Sequence, residues 1–137
     1  MNSISLINNR KIVLSTIWVF VLMNMIYADI LGMLKPGYVE NLEKLGNELS
    51  GEMVLVFAIF MEVPIIMILL SRILKRKANR IANFIAAPLS ILWVIVPSLI
   101  SSLGTTPISY IFFASVESAA MLFIIWYSYN WSETEEL

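Results

Sequence analysis

Four long apolar segments, joined by short polar connections, constrain this chain more than any other feature. A helix needs about 20 mostly apolar residues to cross ~30 Å of hydrocarbon. Segments 12–34, 53–74, 81–103 and 107–129 all meet that length. Arg10 and Lys11 open the first, and Lys35-Pro36-Gly37 closes it. The second lies between Glu52 and the run Lys75-Arg76-Lys77; Gly104 ends the third, and Pro107 suits the first position of the fourth helix. Helices apolar on all sides want lipid around them. The expected fold is therefore all-α: an integral membrane bundle of four transmembrane helices, forming one domain over residues 1–137.

Composition narrows the chemistry. The chain is 59% apolar and 14% charged, where a soluble domain carries roughly a quarter charged residues. Ten acids against nine bases leave a net charge of −1, so no basic footprint for nucleic acid exists. With no cysteine there are no disulfides, thiolate nucleophiles or thiolate metal sites. With no histidine the commonest general base and metal ligand are missing as well. Neither a metal nor another cofactor is expected, and an enzyme is the less favoured reading.

Seven bases set the orientation. Arg10 and Lys11 precede span one, and Arg72, Lys75, Arg76, Lys77 and Arg80 crowd the connection between spans two and three. Only Lys35 and Lys44 lie in the other two connections. The excess of bases near helix ends places both termini and the middle loop in the cytoplasm. Trp126, Tyr127, Tyr129 and Trp131 then form an inner aromatic belt, with Tyr38 and Tyr110 at the outer surface. Span one is too long for a signal-peptide core and has no small-x-small site after it, so it is expected to stay uncleaved. The five middle-loop bases fix this topology. They are also candidates to hold anionic lipid headgroups, each adding about 1 kcal/mol near a charged leaflet. In the outer loop, Val39, Leu42, Leu45 and Leu49 recur at near-helical spacing. That spacing predicts a short amphipathic helix on the outer membrane surface, either a connector or a lid over a cavity.

Polar residues inside the spans carry the functional signal. Glu62 lies about 14 Å from the outer end of span two, and Asn24 and Glu117 about 15 Å from theirs, at 1.5 Å per residue. Trp93 falls in the same layer, and Asp29 about 8 Å from the outer surface. A charge at mid-bilayer costs at least ~2.5 kcal/mol. No base inside the spans answers Glu62 or Glu117. Each carboxyl must then be protonated, share a proton, bind a cation or meet water. Alternatively each donates one hydrogen bond across a helix interface and acts as glue. Ala114, Ser115, Ser118, Ala119 and Ala120 surround Glu117 with small side chains, which let a neighbouring helix approach closely. Pro64 removes a backbone bond near Glu62, and residues 14–21 faintly echo residues 89–96.

Three stretches carry a resemblance: LSTIWVFVLMNMIYADILGML (14–34), MEVPIIMILLSRILKRKANRIAN (61–83) and YIFFASVESAAMLFIIWYSYNW (110–131). Through them the chain resembles a family of small bacterial four-span membrane proteins catalogued as a domain of unknown function. In size and topology it is loosely similar to the DoxX-like four-span proteins. The resemblance implies a bacterial cytoplasmic membrane, and it supplies no ligand or site residue.

Two functional expectations follow. The first is a membrane-embedded binding or transport module for a small molecule or proton, with Glu62 and Glu117 as the titrating pair. Asn24 would orient, Asp29 would stand at the outer mouth, and Trp93 would line the site. Four helices enclose little volume, so a homo-oligomer is the expected partner state, within the lipid bilayer. The second is an accessory subunit in which the carboxyls are interhelical glue. An intramembrane enzyme using paired carboxylates ranks third, because no nucleophile or metal set accompanies them.

Overall fold

The computed structural model describes the backbone over residues 3–101 and 108–132, and side chains over 9–95 and 108–132. Five helices follow in order: α1 Ser3–Met33, α2 Tyr38–Glu48, α3 Gly51–Ile73, α4 Arg76–Ser101 and α5 Ile108–Tyr129. All but α2 are long and apolar enough to cross a membrane. Pro107 and Leu103, expected at span edges, lie outside the described residues.

Two helices extend beyond their apolar runs. The basic stretch expected as a loop is mostly helix: α3 ends at Ile73 and α4 begins at Arg76, leaving only Leu74 and Lys75 to turn the chain. Lysine and arginine are good helix formers, so polarity alone does not end a helix. The turn is held by backbone and side chain together. The N–H of Asn79 donates to the carbonyl of Lys75 at 2.8 Å. The Asn79 amide Nδ2 donates to the carbonyl of Ser71 at 2.7 Å. For the same reason α1 runs on through Arg10 to Ser3 on the polar side of its span. At the opposite end, Ser50 caps α3 by accepting from the N–H of Met53 at 3.3 Å.

The spanning helices form a four-membered ring in which α1 touches α3 and α5, and α4 touches the same two. Helices α1 and α4 are thus diagonal partners, as are α3 and α5. Each helix buries a seam with three- and four-residue steps. On α1 it is Leu14, Trp18, Val21 and Met25; on α3, Pro64, Met67 and Ser71; on α5, Glu117, Met121, Ile124 and Ser128. That spacing is the signature of left-handed bundle packing. The small residues Ala86, Ala87 and Ser90 are buried on α4, which makes its broadest contact with α5.

Helix α2 lies apart, touching α1 alone and burying none of its residues. Gly37, at φ +80°, sits in the left-handed conformation that admits the turn into it. The apolar residues Val39, Leu42 and Leu45 are exposed, as suits a helix resting on a membrane surface. The Tyr38 ring packs over Gly32, so closely that a Cβ there would stand 2.9 Å from Cζ.

Candidate functional site

The start of α1, the end of α5 and the α3–α4 turn share one end of the bundle, the basic end, and α2 marks the other. Three arginines close the basic end over the last turn of α5, whose carbonyls have no onward helical partner. Arg10 donates to the carbonyl of Tyr127 at 3.1 Å and stacks 4.7 Å from that ring's centroid. Arg76 donates to the carbonyl of Trp131 at 2.9 Å, and Arg80 to that of Tyr129 at 3.3 Å. Cations at a helix C-terminus also complement its dipole. Arg76 is buried, so of the five bases expected to meet lipid headgroups it is the one the fold turns inward. Arg72, Lys75 and Lys77 are exposed and Arg80 is half-buried. Trp131, expected in the aromatic belt, is also buried, whereas Trp126 and Tyr129 are exposed.

Above this closure runs a buried ladder of amides. Trp18 Nε1 donates to Asn83 Oδ1 at 2.7 Å, joining the diagonal helices α1 and α4. Asn83 Nδ2 donates to the Asn79 carbonyl at 2.9 Å and to Asn79 Oδ1 at 2.7 Å. Ser15 Oγ donates to the carbonyl of Ile68, tying α1 to α3 at 2.9 Å. These bonds fill the interior of the bundle next to the basic end.

Towards the α2 end a cavity of about 130 Å³ opens between the spans. Every spanning helix contributes to its wall: α1 through Met25, Ala28 and Asp29, α3 through Met61, and α4 through Trp93 and Val94. From α5 come Tyr110, Phe113, Ala114 and Glu117. Glu117 is buried, and its Oε1 has no hydrogen-bond partner among the described residues. Asp29, by contrast, is exposed. The space therefore runs from an exposed carboxyl to a buried one. Trp93 is fixed as a wall by stacking on Phe60, with centroids 4.7 Å apart, and by an edge contact with Phe57 at 5.3 Å.

Of the residues expected to form the site, the fold brings Asp29, Trp93 and Glu117 together around this space. It does not bring Glu62 and Asn24 to it. Their chain neighbours Met61 and Met25 line the wall instead. One step along a helix is a rotation of about 100°, so each polar residue stands at the cavity's level but faces elsewhere. Asn24 Nδ2 donates to the carbonyl of Phe20 on its own helix at 2.8 Å. Glu62 is exposed on the outside of α3, and α3 is diagonal to α5, so Glu62 and Glu117 are not neighbours. The α2 helix contributes no lining residue.

Tyr110, Phe113 and Met25 were not expected in the site. Their signal was present: 110, 113, 114 and 117 follow the i, i+3, i+4, i+7 pattern of one helical face, and 25, 28 and 29 begin the same pattern.

A family model, described as a family of unknown function (DUF6326), matches residues 1–137. No curated protein and no solved structure matches the chain.

Proposed function

Because this chain belongs to DUF6326, a family of unknown function, we propose from the site itself that it is a membrane-embedded module that binds or conducts a proton or a very small molecule. The observation that carries the reading is the cavity shared by all four spans and floored by Glu117, whose buried Oε1 lacks a partner among the described residues. A carboxyl acting as glue would lie in a closed interface; this one faces open space. The size selects the ligand class. Drug-sized ligands occupy roughly 300–1,000 Å³, whereas a 150 Å³ cavity accepts about one benzene-sized molecule or a few waters. At about 130 Å³ the site suits a hydrated proton, a small cation or a small neutral molecule. Asp29 stands at the mouth and Glu117 at the floor, with Trp93 and Phe113 excluding bulk water from the sides. With bases marking the cytoplasmic side, the mouth opens outward and both termini lie inside. The cytoplasmic membrane of a bacterium is the setting this orientation fits.

The test is infrared difference spectroscopy of the protein in lipid vesicles, titrated with bulk pH. A carboxyl band that responds to pH, disappears in Glu117→Gln and shifts in Asp29→Asn is the expected result. A Glu117 band indifferent to bulk pH, together with no proton flux into the vesicles, overturns the reading.

A further inference from the structure

Glu62 is the one ionisable side chain that α3 turns outward near mid-bilayer, and no side chain among the described residues answers it. It stands on the exposed stripe Leu55, Ile59, Glu62, Ile66, Leu69 and Ile73, opposite the buried seam Pro64, Met67 and Ser71. Two exposed hydroxyls on the outer faces of α1 and α5 are satisfied within their own helices. Thr16 donates to the Ile12 carbonyl and Ser115 to the Ile111 carbonyl, both at 2.8 Å. An ionised carboxylate cannot copy this, because its oxygens need donors and every mid-helix N–H is already engaged. Helix α3 is also the least packed of the spans, with 11% of its most apolar window buried.

We propose that this stripe is the contact between two copies of the chain, paired about a two-fold axis along the membrane normal with Glu62 against Glu62. Lipid tails offer a carboxyl no partner, so whatever covers Glu62 must carry a polar group at the same depth inside the bilayer. A two-fold axis along the normal supplies one automatically, since it sets identical residues at identical depth. The carboxyl is also self-complementary. Protonated, it offers one O–H and one carbonyl, so two of them exchange hydrogen bonds, or a pair shares a single proton. The three- and four-residue steps keep the aliphatic stripe in register along the seam, and one polar residue within it fixes that register. Glu62 lies outside the cavity, so the interface stands whether or not the cavity reading holds.

The native chain has no cysteine, which gives a clean background for single-cysteine cross-linking of the purified full chain in lipid vesicles at low density. Ile59→Cys and Ile66→Cys lie on the stripe; Ile85→Cys on α4 and Leu122→Cys on α5 are controls at least as exposed. Oxidation is expected to give disulfide dimers at 59 and 66 about tenfold above the controls, as a polar contact within a lipid-embedded seam implies. Adding Glu62→Leu, which keeps the stripe apolar, is expected to lower those yields several-fold. Glu62→Gln, itself self-complementary, is expected to retain them. Yields at 59 and 66 no higher than at 85 and 122, or unchanged by Glu62→Leu, overturn the proposal.

Discussion

The two ends of the bundle use buried polar groups in opposite ways. At the basic end, amides and guanidinium groups reach backbone carbonyls: Asn79 takes that of Ser71, Asn83 that of Asn79, and Arg76 that of Trp131. Towards the α2 end, carboxyls border a cavity instead. The difference lies in what a helix wall offers. A helical carbonyl can accept a second hydrogen bond, but a helical N–H has only one to give, and it is already engaged. The amides of Asn79 and Asn83 and the guanidinium of Arg76 therefore close against helices. Carboxylates find no free N–H on the same walls and border open space instead.

The largest expected effect breaks the closed end. Asn83→Ala removes the acceptor of Trp18 Nε1 and the donor to Asn79, and should destabilise the bundle by about 3 kcal/mol. Unfolding in mixed micelles, followed by tryptophan fluorescence, measures it; an unchanged midpoint would dissolve the contrast between the ends. Arg76→Met keeps an apolar stem but strips the cap from Trp131, and should cost about 1–2 kcal/mol by the same assay.

The open end should respond the other way. Ala114→Leu grows into the cavity, so stability should change by no more than about 1 kcal/mol. The pH response of the Glu117 carboxyl band should nevertheless be lost. A large stability loss with the band intact would mean that the space is not where Glu117 meets water.

The smallest effects concern α2. Gly32→Ala places a Cβ against the Tyr38 ring, which must swing away; about 0.5–1 kcal/mol is expected, read as faster proteolysis between residues 38 and 48. Tyr38 also gives a pH signature. Burial, and secondarily the negative charge of Asp29, push its phenol above the ordinary value of 10.0. The undocked chain then loses the proton first as pH rises. Docking of α2 should be full below about pH 10 and weaken as pH climbs through the raised value. Tyr38→Phe should remove that alkaline transition.

Much of this architecture was legible in the residues. Segment length and apolarity specified four spans, because hydrocarbon thickness and helical rise leave no other way to satisfy the backbone in lipid. The spacing of Val39, Leu42 and Leu45 gave the surface helix, and the axial rise set Glu117, Trp93 and Glu62 at a common depth. The i, i+3, i+4 faces of Tyr110, Phe113 and Met25 were readable too, had each polar residue been followed around its helix. What composition hid was the arginine closure. It joins Arg10, Arg76 and Arg80 to carbonyls of residues far away in the chain, with no local pattern to announce them.

Depth is a property of one helix and its distance from a membrane surface, so the sequence alone determined it. Facing is a property of the ring: which helix lies beside which, and how each is rotated. Only the tertiary structure decided that, by turning Met61 and Met25 to the cavity and leaving Glu62 on the outer face. The physical reason is the roughly 100° between consecutive side chains. A span apolar on every side contains no local instruction about which of those directions will be covered.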